Sequence, residues 1–274
     1  MKHFIKKLLP QIILELCRRK PWNPTPIYSS YEDAIEHADG YEDDDLTSFV
    51  VAKVKSFAGE IASTKELDLM SLRTFIGLAT SMGKEKLTII DFGGGAGAHY
   101  FMAKSLLPDS VELDWRVVET SKMVTEAKTQ GLETDELHFF DSLETATDTG
   151  DIDLVFASGS IQYTPKPYDF LSALASINAE VLMITRTPVT NSPCVFVQQA
   201  PLFANGPGET PKEIKISNKI VSYPVTMMER SKVETILSCF GEVMLKIAED
   251  KGAYRTTRDT YDMWGYIVRK IKTN

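Results

Sequence analysis

The residues in this chain best suited to chemistry are carboxylates and bare backbone set at the ends of apolar runs. Leu87-Thr-Ile-Ile90 is closed by Asp91-Phe-Gly93-Gly94-Gly95-Ala-Gly97. The run reads as a buried strand, and the glycines as a turn that takes positive φ and leaves no Cβ between backbone and ligand. Ala98 to Leu107 then reads as a helix whose first amides face that ligand. A strand, an acid and a glycine turn make a nucleotide site, and the acid helps to say which nucleotide. A dinucleotide brings a pyrophosphate, which a carboxylate two residues before the first glycine would repel. S-adenosylmethionine brings an α-ammonium and a sulfonium, both cationic, so Asp91 favours it. Gly93-x-Gly95-x-x-Ala98 also satisfies the looser dinucleotide pattern, and a plain strand-to-helix connection has similar glycines.

Two later acids bear on that choice. Val111 to Val118 ends in Glu119, roughly 20 residues past the glycines, where an acid can accept from both ribose hydroxyls. A solvated acid at a strand end is the plainer reading. Leu137-His-Phe-Phe140 reads as a short strand followed by Asp141-Ser142, where an adenine amine needs an acceptor; an aspartate there also suits a turn or helix cap. Thr120 and Ser142, next to these acids, join them as candidate cofactor contacts.

Through Asp91-x-Gly93-x-Gly95-x-Gly97, Glu119 and Asp141, in that order and spacing, the chain resembles the class I S-adenosylmethionine-dependent methyltransferases over roughly residues 84 to 188. The resemblance implies an α/β, Rossmann-like sheet of seven strands, mostly parallel with the last antiparallel and helices on both faces. It implies Asp153–Ala157, Val181–Thr185, Glu242–Ile247 and Gly265–Arg269 as strands four to seven, and an N-terminal helical cap over the methionine end of the cofactor. More narrowly, Tyr31-Glu-Asp-Ala34, Gly40-Tyr41 and Arg186-Thr-Pro188 look like segments of a small group of methyltransferase-like proteins found among bacterial surface-polysaccharide genes. That likeness implies a sugar or glycan-linked acceptor and a place in lipopolysaccharide biosynthesis.

Methyl transfer from a sulfonium is an in-line displacement in which the protein chiefly positions and desolvates the nucleophile. Ser158-Gly159-Ser-Ile-Gln162-Tyr163 lies where the resembled class places residues beside the transferring methyl, so Ser158, Gly159 and Gln162 join the cofactor set and Tyr163 heads the catalytic candidates. Tyr163 also suits plain packing beside Pro165 and Pro167. His99 could reach the methionine carboxylate or the acceptor, or act as a cap. Arg186 ends a strand at the edge where open α/β sheets bind ligands and could anchor an anion such as a sugar phosphate or uronate, or pair with a neighbouring acid.

The elements that must position these groups are legible in outline. Residues 1–26 form a basic segment and a proline-rich joint, 27–82 a helical cap with helices over 31–38, 46–62 and 66–82, and 83–274 the cofactor-binding domain. Pro188 to Pro224 reads as a long, substrate-facing insertion within it, a hairpin over the site being one form. Met227–Phe240 reads as a helix and Asp250–Thr260 as a polar loop.

The net charge of −8 splits into +5 over the first twenty residues and −13 over the rest. An acidic body argues against nucleic acid as partner. The basic segment carries an apolar face, Phe4, Ile5, Leu8, Leu9, Ile12, Ile13 and Leu16, suited either to an anionic membrane or to the protein's own body. Three scattered cysteines indicate a reducing cytoplasm, the inner membrane surface being the peripheral option, and the four histidines show no metal-ligand spacing. Besides the methyltransferase, two alternatives remain: a nicotinamide-dependent oxidoreductase on the same turn, and a non-catalytic module of a polysaccharide assembly complex.

Overall fold

The computed structural model describes residues 25–61, 69–148, 150–211, 214, 218–256 and 260–271. The basic segment 1–20 and residues 66–68 of the expected third cap helix lie outside them. A two-residue strand, β1 (Ile27–Tyr28), precedes three helices, α1 (Tyr31–Ile35), α2 (Asp44–Ile61) and α3 (Leu69–Ala79). Ser30 caps α1 by accepting from the Asp33 amide at 3.1 Å.

Strands and helices then alternate: β2 (Lys86–Phe92), α4 (Ala98–Leu106), β3 (Glu112–Val118), α5 (Ser121–Thr129), β4 (Leu137–Phe140), α6 (Leu143–Ala146), β5 (Ile152–Ser158), α7 (Pro167–Ser176) and β6 (Ala179–Thr190). The chain continues through β7 (Cys194–Pro201), β8 (Ile220–Glu229), α8 (Arg230–Phe240), β9 (Gly241–Arg255) and β10 (Thr260–Lys270).

The main sheet runs β4-β3-β2-β5-β6-β10-β9. Its first five strands are parallel, and β10 lies antiparallel between β6 and β9. This is the Rossmann-like, mostly parallel seven-stranded sheet with an antiparallel last strand. The central strands β2 and β5 are buried at nearly every position because both faces are covered. Ile89, Trp115, Leu154 and Met183 face the side covered by α2 to α5, while Ile90, Val155, Leu182 and Ile184 face α7 and α8.

β1, β7 and β8 form a second, antiparallel sheet joined to the first where β8 pairs with the last residues of β6. A third cluster, with Leu46 and Phe49 of α2, Phe196, Tyr223, Val225 and Tyr261, fills the space between this sheet and the cap.

The 188–224 segment takes the hairpin alternative: β6 runs on to Thr190, and Cys194–Pro201 and Ile220–Glu229 pair as antiparallel strands. Two expectations are corrected. Met227 and Met228 belong to β8, where both are fully buried, so the helix starts only at Arg230. Most of the expected polar loop 250–260 continues β9 and β10, with Tyr254 paired to Tyr261. In each case side chains spaced for one face of a sheet outweigh a polar or helix-favouring composition.

Candidate functional site

The parallel sheet reverses its strand order at β2, which has β3 on one side and β5 on the other. A crevice at the carboxyl ends of such strands is where open α/β sheets hold ligands. The glycine turn occupies it, and its four glycines have different reasons to be there. A Cβ on Gly93 would collide with Ser160, one on Gly94 would strike the Asp91 carboxylate, and one on Gly97 would press on Leu137 and Phe139. These three allow close packing within the protein. Gly95, at φ +59°, has only Val50 of α2 near its missing Cβ, at 3.8 Å, and is the glycine that presents bare backbone beneath the cap.

Asp91 is fully buried under the turn. Its Oδ2 accepts from Trp115 Nε1 at 3.1 Å and lies 3.0 Å from His99 Nδ1. His99, also buried, stacks edge-on against Phe156. Sequence reasoning aims both residues at a ligand; the fold pairs them with each other, so they brace the turn from below.

Glu119 stands at the open lip. Oε1 accepts from the Gly95 amide at 3.1 Å and Oε2 from the Thr120 amide at 2.9 Å, which fixes the carboxylate against the turn. Burial raises its pKa above the ordinary 4.5, partly opposed by these two amides, and the nearby Asp91 charge adds to the rise. The Thr120 hydroxyl caps α5 and the Ser142 hydroxyl caps α6, so both are engaged locally. Asp141 is exposed, its Oδ2 3.5 Å from the Ser121 hydroxyl. Ser121 also lines an open hollow of about 340 Å³ with Asp44, Thr47, Ser48, Lys122, Thr125 and Glu126.

The ends of β5 and β6 form the other half of the site. Ser158 is buried in the sheet, where its hydroxyl accepts from Thr185 at 2.9 Å, while Gly159 turns at φ +65° beneath Arg186. A Cβ on Gly159 would lie 3.0 Å from the Arg186 guanidinium carbon. Arg186 sits in a bulge of β6 opposite the Trp264–Tyr266 step of β10, at φ +53°. A left-handed backbone costs a non-glycine residue about 1–2 kcal/mol. Its amide donates to Glu249 Oε1 at 2.7 Å, Glu249 Oε2 pairs with Arg73 at 2.5 Å, and Gln162 Nε2 donates to the Arg186 carbonyl at 3.2 Å.

Around this bulge gather four tyrosines from four segments. Tyr163 stacks with Tyr41 and Tyr223 at ring-centroid distances of 4.9 and 5.3 Å, and its hydroxyl lies 3.3 Å from that of Tyr254. It also donates to Gln198 Oε1 at 3.2 Å. Burial raises the pKa of Tyr223 to about 12 and also raises those of Tyr41 and Tyr254, while the Arg186 charge opposes the rise at Tyr223 and Tyr254. Tyr31 donates to the Tyr163 carbonyl at 2.9 Å. Tyr31 and Tyr41, from the motif segments 31–34 and 40–41, therefore both meet Tyr163, while Arg186 of the third segment meets its neighbour Gln162.

No family model matches the chain, and no curated protein does. Among solved structures it is similar to the N-terminal domain of EvdMO1 with S-adenosylhomocysteine bound, at 15% identity and TM-score 0.46 over 76% of this chain and 82% of that one. It is also similar to magnesium protoporphyrin IX methyltransferase from Synechocystis PCC 6803 with S-adenosylmethionine bound, at 15% identity and TM-score 0.43 over 83% and 98%. The [4+2]-cyclase SpnF gives 12% identity and TM-score 0.49 over 92% and 100%.

The site thus has two unequal parts. Gly95, Glu119 and Asp141 lie at successive strand ends, as their spacing anticipates. Tyr163, Gln162 and Arg186 are brought together by the bulge. Sequence reasoning missed Tyr223, Tyr254 and Glu249 as neighbours of Arg186, because Tyr223 and Tyr254 lie in segments read as connections and Glu249 lies just beyond the expected strand Glu242–Ile247. Over the turn lies α2, whose Lys53 donates to the carbonyls of Phe203 and Gly206 at 3.1 Å each and so ties the β7–β8 connection to the cap.

Proposed function

We propose that this chain is an S-adenosylmethionine-dependent methyltransferase acting on a sugar or glycan-linked small acceptor. The observation that carries the reading is the Glu119 carboxylate, held at the lip of the turn by two backbone amides next to the bare Gly95. Each oxygen accepts a single amide bond, which leaves lone pairs for ribose hydroxyls. Burial without full compensation, the cause of the raised pKa, is what such donors would relieve. Asp141, exposed at the next strand end, suits an adenine amine.

The residues present fit that cofactor. When bound, it supplies an activated methyl group on a sulfonium, so the chain's own residues need only bind, orient and exclude water. Gly159 and Gln162 would lie beside the transferring group, and Tyr163 and its neighbouring tyrosines would line the acceptor. Convergence of the three motif segments on the Gln162–Tyr163 pair supports a sugar or glycan-linked acceptor of surface-polysaccharide or lipopolysaccharide assembly. On this reading the reaction is cytoplasmic, with residues 1–20 able to meet an anionic membrane.

Calorimetry tests the reading. S-adenosylhomocysteine should give heat on titration and NAD none, and Glu119→Gln should weaken the former roughly tenfold or more, the value of a charged hydrogen bond. Heat from NAD alone would replace the reading with an oxidoreductase on the same turn.

A further inference from the structure

Arg186 combines features that packing alone does not require. Among the described residues it is the only non-glycine at positive φ. Its backbone is held there from both sides, the amide by Glu249 and the carbonyl by Gln162. The acid that might have neutralised it, Glu249, is committed instead to the Arg186 amide and to Arg73, with a side chain only 3% exposed. The half-buried guanidinium therefore lies over Gly159 without an ion pair or hydrogen bond to any described residue. Beside it, Gln162 is 1% exposed and its Oε1 has no hydrogen-bond partner among the described residues. A strained backbone that delivers an unpaired charge, next to an unpaired acceptor, is the pattern of a ligand clamp.

We propose that Arg186 is the substrate-recognising residue of the acceptor site and that the acceptor carries a carboxylate, which the guanidinium takes as a bidentate pair. The neighbouring Gln162 Oε1 accepts from a hydroxyl of the same molecule, so a hydroxycarboxylate such as a uronate matches both groups. A carboxylate is favoured over a phosphate because, among the described residues, this corner brings one uncommitted cation: Arg73 is paired and Lys53 is held by two carbonyls. One guanidinium balances one negative charge. The Tyr223 and Tyr254 hydroxyls near it, whose pKa values burial raises, add no opposing charge. The inference rests on the methyltransferase reading for the reaction, but its binding claim is tested separately.

The test is saturation-transfer NMR on the full chain saturated with S-adenosylhomocysteine, using D-glucuronate, D-glucose and D-glucose 1-phosphate as probes, with Arg186→Gly as the variant. Glycine suits the left-handed backbone, so the variant should fold with a melting temperature unchanged or raised by about 2 °C. The expected result is transfer to glucuronate well above that to glucose and to the phosphate, lost at least tenfold in Arg186→Gly while S-adenosylhomocysteine binds both chains equally. Equal transfer to glucose and glucuronate, transfer to the phosphate alone, or an undiminished glucuronate signal in the variant would overturn it. So would a melting temperature lowered by more than about 4 °C, which would mark Arg186 as a packing residue. A wild-type chain that binds glucuronate but not S-adenosylhomocysteine would remove the methyltransferase reading and leave the anion site. The reverse result would remove only the anion site.

Discussion

The two halves of the site satisfy their polar groups in opposite ways. Beneath the glycine turn, Asp91 is fully buried with Trp115 and His99 on its carboxylate, and three of the four glycines exist to let neighbouring atoms approach. At the β5–β6 end, Arg186 is strained, its guanidinium has no partner among the described residues, and Gln162 retains an unpaired buried oxygen. The first half is braced and gains stability from its polar contacts. The second gives up stability to hold groups in readiness, as binding sites do. The comparison teaches that the acid closing a nucleotide-type strand can be structural, while the residues that select a substrate are those whose own needs are left unmet.

The sharpest way to break this contrast is Asp91→Ala. Removing the carboxylate leaves the Trp115 indole N–H and the His99 ring without their partner in a dry setting. The expected loss is about 2–5 kcal/mol in urea unfolding. A loss under 1 kcal/mol would show that the turn is not braced from below. Arg186→Gly, at the other end, should cost nothing in stability, and the two variants together reverse the usual expectation that the more buried and better paired residue is the functional one.

A smaller effect comes from the tyrosines. Tyr41, Tyr223 and Tyr254 ionise above the ordinary value of 10 in the folded chain, whereas in the unfolded chain they ionise near 10. Above pH 10 the folded state therefore holds more protons, and stability should fall as pH rises through 10 to 12. Urea midpoints should show no such loss from this source between pH 7 and 9. In Tyr254→Phe the decline above pH 10 should be shallower, and an identical decline would place Tyr254 outside the cluster's burial.

Smallest of all is the effect of the basic segment on either half. A chain beginning at Trp22 should bind S-adenosylhomocysteine as the full chain does, and only the full chain should float with anionic vesicles in a salt-sensitive manner. Equal flotation of both would return the segment to the protein's own body.

What was legible in the sequence followed local rules. The run from Leu87 to Leu106 reads as strand, turn and helix because apolar continuity, glycine and helix propensity all act within a few residues. The positions of Glu119 and Asp141 follow from the regular length of a strand-helix unit. Elsewhere local composition misled. Met227-Met228-Glu229 has helix-favouring residues but lies in β8, and the charged stretch after Asp250 is mostly paired strand, because cross-strand partners far away in sequence outweighed local preference.

By itself the sequence determined the glycine turn and the order of acids at the strand ends, since these rest on periodicity and on backbone freedom at single residues; the parallel sheet followed from the family resemblance that those motifs carry. Only the tertiary structure decided that Asp91 faces inward to Trp115 and His99, and that Glu249 holds the Arg186 amide without neutralising its guanidinium. It also decided that tyrosines 41, 163, 223 and 254 share one corner. The reason is physical: a hydrogen bond or a ring contact between residues dozens of positions apart has no trace in local pattern and exists only once the strands that carry them are in register.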